Sequence, residues 1–193
     1  MTGAENTRAT RKAATRQRIL ESASRRLRSE GLKGAGVNPV MADAGLTRGS
    51  FYAHFANKET LAREAFSYAI ANDQAAWLDG DDDNWSNRVA RLAASYLTSA
   101  HRDAPERGCA IAALASQQAD APEGFKQHFS ETLVTTLMRI ADDRPERLDD
   151  AIAILAMLTG GINLARNLPD QALSDRVLAV CQNALKQLAD NPD

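Results

Sequence analysis

The sequence predicts an all-α protein. Glycine and proline are sparse, at 11 and 6 of 193 residues. Apolar residues recur at helical spacing, and capping or breaking residues separate the runs. A chain of this length can bury a core in one domain, or in a small domain fused to a larger one.

Taken in order, residues 1–10 are polar and read as a flexible arm. A first helix is expected from about Arg11 to Glu30, with Ile19, Leu20, Ala23 and Leu27 as its buried stripe. Arg16, Arg18, Arg25 and Arg28 lie mainly elsewhere on it. Gly31 stops this helix, and Gly34 and Gly36 loosen the next segment. A short second helix spans about Asn38 to Ala44, with Asn38 as cap and Pro39 at its first position. Gly45 turns the chain, a third helix covers Thr47 to about Ala53, and a fourth runs from Asn57–Lys58 through Trp77.

Asp79–Asp83 is an acidic break containing Gly80. Its first acids have calcium-loop spacing, but Asn84 and Ala90 stand where that loop needs glycine and glutamate. It therefore reads as a loop complementing the next helix N-terminus. Further helices are expected at about Trp85–His101, Gly108–Gln118, from Pro122 through Ile140, Leu148–Asn167 and Leu173–Ala189. The helix from Leu148 is apolar nearly all round between Ala151 and Leu158, so it must be buried on more than one side. In a body this small the second side is assigned to another subunit. Gly160-Gly161 in that helix fits a close helix approach, a kink, or room for a ligand.

Charge is unevenly spread. Residues 1–60 carry a net +6 and residues 61–193 a net −8. A basic piece on an acidic body suits a phosphate-binding head, although a solvated basic helix has the same composition. No apolar h-region comes after the polar first residues, so no signal peptide is expected, and no run is read as a membrane span. Two cysteines, Cys109 and Cys181, argue against a disulfide framework and fit a reducing cytoplasm.

The most informative stretch is Gly45–Glu59, GLTRGSFYAHFANKE. It has the parts of a helix-turn-helix: a glycine turn, a capping threonine, a short polar-aromatic run and a lysine at the foot of another helix. Val40, Ala44, Leu46, Phe51 and Phe55 are apolar anchors. Thr47 can cap the recognition segment and expose its N–H groups to phosphate. Arg48 is the candidate base reader, because arginine pairs with guanine O6 and N7. Ser50 and Tyr52 suit phosphate or mixed contacts, Gly49 allows close approach, and Lys58 offers a point charge. His54 divides evenly between a phosphate contact and a structural loop histidine.

With TRQRILESASRRL in the first helix, ADAGLT at the turn and SFYAHFANKETL after it, residues 11–66 resemble the DNA-binding domain of the TetR/AcrR family of bacterial transcriptional regulators. The resemblance implies a nine-helix, Ω-shaped homodimer with a three-helix head over residues 11–57. It also implies a body over 58–193 that binds an effector and dimerises through about 148–189. It implies operator contacts at Ser50, Tyr52, His54 and Lys58. The usual Ser/Thr cap of the second helix is missing from GAGVNPV, so Asn38 joins Thr47, Arg48 and Gly49 as the remaining DNA-binding candidates.

The same resemblance implies a pocket in the body for an unidentified small molecule. Trp77, Tyr96, Cys109, Phe125, Phe129, Met138 and Met157 are candidate lining residues, as is Trp85, although such residues at helical spacing more often form plain core. No buried-acid pattern marks a cationic site. Cys109 sits near a helix start beside Arg107, where a thiol pKa falls, so an oxidant- or electrophile-sensing repressor is the alternative function. A helical ligand-binding module without DNA binding is the other. The sequence has no HExxH, G-x-S-x-G, forward G-x-G-x-x-G or P-loop, so no enzyme, cofactor or metal is expected. The expected protein is a cytoplasmic, nucleoid-associated repressor, released from a pseudo-palindromic operator by its effector.

Overall fold

The computed structural model describes residues 3–78 and 84–190, with side chains from residue 7 onward. Among them all regular structure is helical: α1 (Gly3–Gly34), α2 (Val37–Asp43), α3 (Lys58–Trp77), α4 (Trp85–Tyr96), α5 (Ser99–Asp103), α6 (Ala110–Leu114), α7 (Glu123–Ile140), α8 (Leu148–Arg166) and α9 (Gln171–Asp190). Four 3₁₀ turns intervene, at Arg48–Ala53, Pro105–Arg107, Ala115–Asp120 and Pro145–Arg147. The acidic stretch Asp79–Asp83 lies outside the described residues.

The expected number of helices is met by a different division of the chain. The recognition segment is a 3₁₀ turn and not an α-helix. The expected helix over Trp85–His101 breaks at Leu97, whose ψ is 63°. Thr98 then caps α5 by accepting the His101 N–H at 3.1 Å. The expected arm is helical from Gly3, whereas the expected stop at Gly31 is met by a break in α1, with φ 70°. There a Cβ would also collide with the Gln117 amide, whose oxygen accepts the Leu32 N–H at 3.1 Å.

α1, α2 and the 3₁₀ turn Arg48–Ala53 pack with the start of α3 into the head. Ile19, Ala23, Leu27, Val40, Met41, Phe51, Phe55 and Leu61 form its buried core. α3 continues into the body and packs on α1, α7, α6 and α4. Phe66 on α3 stacks on Phe129 at 5.3 Å and meets Phe125 at 5.6 Å. α8 and α9 pack together, with α4 against α9.

By length and composition, Pro145–Arg166 could cross a membrane, contrary to the expectation from sequence. In the fold its Ile154, Leu155, Leu158 and Ile162 are core. A second face remains open: Ile152, Ala156, Gly160 and Leu164 recur at four-residue spacing, and all are exposed.

Candidate nucleic-acid interface

The turn between α2 and the recognition segment is set by Gly45, at φ 67°. The left-handed region is open to glycine at no steric cost. It closes α2 with two backbone bonds, Leu46 N–H to Met41 O at 2.8 Å and Gly45 N–H to Ala42 O at 2.9 Å. This is the Schellman pattern, which satisfies carbonyls that a helix end leaves orphaned.

α1 grips α2 with polar side chains. The buried Ser22 hydroxyl donates to Val40 O at 3.1 Å, and the Arg18 guanidinium donates to Ala44 O. Arg26 pairs with Asp43 at 2.7 Å and with Glu30 at 2.8 Å. Hydrogen bonding to Arg26 holds the Asp43 carboxyl below its ordinary range. Sequence reasoning left Arg18 and Ser22 out. Their partners are backbone carbonyls remote in sequence, which no local pattern reveals.

Two caps differ from expectation. Gly36, extended at ψ 145°, is the N-cap of α2, so Asn38 and Pro39 fall inside its first turn. Proline costs nothing there, because first-turn N–H groups have no intrahelical acceptor. Asn38 is exposed and free of capping duty. Thr47 occupies the N-cap of the 3₁₀ turn, but its side chain makes no capping bond. The Ser50 hydroxyl instead folds back and donates to Thr47 O at 2.8 Å. Six residues in 3₁₀ geometry carry little macrodipole, so what the turn offers an anion is open N–H groups and side chains.

Thr47, Arg48, Gly49, Tyr52 and Lys58 are exposed. Tyr52 is the large apolar side chain of the head most open to solvent, at 71%. It leans edge-on against the buried Phe51 ring, with centroids 5.1 Å apart. A stiff aromatic thus stands out from a fixed backbone. Nothing lies within 4 Å of the position a Gly49 Cβ would take, so that surface is clear. Lys58 opens α3, whose N-cap Asn57 accepts the Thr60 N–H at 2.8 Å.

His54 is half-buried behind this face. Its Nδ1 is buried without a partner. Burial first, then the charges of Lys12 and Arg16, lower its pKa. A neutral imidazole results, which favours the structural assignment over a cationic phosphate contact. Arg16 lies over the Phe55 ring at 4.8 Å and pairs with Glu64 of α3.

In the body, a small, half-open apolar cavity of about 30 Å³ lies between α3, α4, α6, α7 and α8. Of the candidate lining residues, Trp77, Tyr96 and Cys109 border it, joined by Asp73, Gln74, Leu92, Thr136, Leu155 and others. Phe125 and Phe129 are spent on Phe66, and neither Met138 nor Met157 reaches the cavity wall. Trp85 stacks under Arg147 at 4.6 Å, on another side of the molecule. Asp73 corrects the expectation that no buried acid faces this region: it is 7% exposed.

Tyr96 and His101 meet edge-on at 4.5 Å, with Trp77 against both. His101 engages both ring nitrogens: Nδ1 with Tyr96 O at 2.7 Å, and Nε2 with the Cys109 N–H at 2.9 Å. An N–H donor at Nε2 fixes the imidazole as neutral, with its proton on Nδ1. The Tyr96 hydroxyl is buried beside the Cys109 thiol, with no hydrogen bond of good geometry. Cys109 is 4% exposed, and burial pushes its thiol up to about 11. The reactive-thiolate expectation therefore fails: desolvation outweighs the helix start. Cys181 on α9 is raised by burial as well.

Residues 19–65 match the family model described as bacterial regulatory proteins, tetR family. A search of curated proteins gives no match. Solved structures share the fold across nearly the whole chain. A TetR transcriptional regulator from Chloroflexus aurantiacus J-10-FL superposes with TM-score 0.75 at 22% identity, covering 92% of this chain and 95% of that one. A TetR-family regulator from Cytophaga hutchinsonii gives 0.73 at 22%, covering 94% and 98%. The reduced form of NemR from E. coli gives 0.74 at 17%, covering 90% and 96%.

Proposed function

From the match of residues 19–65 to the tetR family model and the shared fold, we propose that the chain is a tetR-family repressor released by a small molecule. Two copies bind one pseudo-palindromic operator, placing their recognition turns in successive major grooves about 34–36 Å apart. The observation that carries the reading is the exposed face of Arg48, Gly49 and Tyr52 on the recognition turn. It is held rigid by the Gly45 closure, by Phe51 and Phe55 beneath it, and by the α1–α2 clamp. Arg48 reads a base. Tyr52, Lys58, Asn38 and the N–H groups around Thr47 and Gly49 take the backbone. Ser50 contributes only by exchanging its bond to Thr47.

The exposed stripe on α8, with Leu173 and Val180 on α9, supplies the homodimer face. The cavity around Trp77 and Tyr96 receives the effector. Its walls call for a largely apolar molecule bearing one polar group for the Tyr96 hydroxyl. The cavity holds little more than a water, so binding an effector there must part its walls. Release then results because the effector favours a conformation whose heads no longer match the groove spacing.

The test is selection of duplexes from a random DNA library by the full-length protein. Enrichment of an inverted repeat, bound with a steep salt dependence, is the expected result. Recovery of unrelated sequences bound no better than bulk DNA would refute the repressor reading. It would favour a helical binding module that does not read DNA.

A further inference from the structure

The joint between head and body contains a buried ion pair that also forms part of the cavity wall. Arg28 of α1 and Asp73 of α3 have side chains only 6% and 9% exposed, 2.8 Å apart. The same Arg28 Nη2 donates to Ala69 O at 3.0 Å. The second Asp73 oxygen accepts the Ala110 N–H, at the start of α6, at 3.0 Å. The preceding N–H, that of Cys109, is held by His101. One carboxylate therefore joins the head helix, the helix shared by head and body, and the first turn of α6.

We propose that Asp73 carries cavity occupancy to the DNA-binding head: parting of the cavity walls breaks the Arg28–Asp73–Ala110 bridge and frees α1. This rests on the repressor reading above and specifies how the cavity acts in it.

Three observations converge on the bridge. First, Asp73 and Cys109 both line the cavity, and Ala110 is the residue directly after Cys109, so walls cannot part there without shifting a partner of the carboxylate. Second, burial makes a stretched bridge costly. A buried charge that loses its partner is strongly unfavourable, so a stretched, half-made pair is not a resting place. Third, Arg28 has somewhere to go. It lines an open cleft of about 380 Å³ bounded by α1, α3 and the turn Pro105–Arg107. Its Nε is already without a partner, so the paired state leaves part of the guanidinium unsatisfied. Swinging into the cleft would hydrate the charge and loosen α1 from α3. Burial raises the Asp73 pKa even against the pull of Arg28, which fits a carboxylate that depends on this one cation.

The experiment replaces the unknown effector by wedges built into the protein. Leu92→Phe on α4 and Leu155→Phe on α8 overfill the cavity from two walls, and neither residue belongs to the bridge. Each is made in the wild-type chain and in an Arg28→Met/Asp73→Leu chain, whose apolar pair keeps the joint packed without charge. Operator affinity is read with the selected duplex, after circular dichroism and sedimentation have shown a folded dimer. The expected result is a loss of about tenfold or more for the wedges in the wild-type chain, and a change within about twofold in the apolar-pair chain. Equal losses in both chains would overturn the proposal, as would wedges that fold yet bind operator like wild type. If neither wedge folds, amide exchange at Ala110 decides. Bridge control predicts much faster exchange in Asp73→Asn together with weakened operator binding, and normal binding despite fast exchange overturns it. A wild-type protein that binds no selected duplex would instead remove the repressor reading itself.

Discussion

Arg48 and Lys58 are both open to solvent, but the proposed function gives them different work on DNA. Arg48 is the first residue of the recognition turn and Lys58 the first of α3. Arg48→Ala should relax preference at one base position, costing about 1–3 kcal/mol for the best sequence and little for its mismatch. Lys58→Ala should weaken all duplexes alike and lower the salt slope by about one unit. Binding titrations on matched and mismatched duplexes at several salt concentrations separate the two. A uniform loss for Arg48→Ala would reassign it to phosphate. His101 carries a prediction of another kind. Burial drops its folded pKa from 6.5 to about 4. Between those values the unfolded chain takes up a proton that the folded one refuses. Its contribution to stability is therefore full above pH 6.5 and is lost progressively as pH falls toward 4. The whole loss amounts to roughly 3 kcal/mol. Urea unfolding across this range, with the imidazole followed by NMR, should show the decline and a native titration near the lower limit. A native titration at an ordinary histidine value would contradict the burial argument.

At the scale of elements, the head depends on a single backbone conformation. A Gly45 Cβ would meet only an Arg18 nitrogen at an ordinary 3.7 Å, so space is not the constraint. The constraint is φ, at 67°. Gly45→Ala should therefore cost about 1–2 kcal/mol from left-handed strain alone. Urea unfolding of the variant should show a lower midpoint with an unchanged slope. A variant as stable as wild type would mean the turn relaxes. Gly45 could be read from the sequence because its cause is local. The bounds of α3 could be read for the same reason, through Asn57 capping and sustained apolar periodicity. What escaped the sequence was set by distant partners or by backbone alone. The break at Leu97 is not marked by glycine or proline, and the cap of α2 moved to Gly36 because extended backbone there needs no side-chain oxygen. The exposed residues of the candidate DNA face, lying in one continuous segment, were legible, whereas the caps at Gly36 and Thr47, the inward bond of Ser50 and the burial of His54 were not. The cavity, assembled from five helices, was largely illegible: three of eight candidate residues line it, and Asp73 was missed because its partner Arg28 is far away in sequence.

For the whole molecule, the open question is what covers α8 and α9. Ile152 and Leu164 on α8 are 47% and 62% exposed, and Leu173 and Val180 on α9 are 44% and 56% exposed. Six large apolar side chains are exposed among the described residues, and four of them lie on these two helices. Such concentration marks an association surface more than ordinary surface scatter. Gly160 sits within the α8 stripe and offers a clean discriminator. Nothing in the chain lies within 4 Å of its missing Cβ. Gly160→Leu should therefore leave a lone chain intact and even favour its helix, since glycine costs about 1 kcal/mol in a helix interior relative to alanine. Against a closely packed partner helix the same side chain has no room. Sedimentation should show the variant shifted to monomer, with thermal unfolding that no longer depends on protein concentration as the wild type does. Operator affinity should fall with it, because one head reaches only one half-site. A Gly160→Leu protein that stays dimeric at wild-type concentrations would place the interface elsewhere and leave this stripe without a partner.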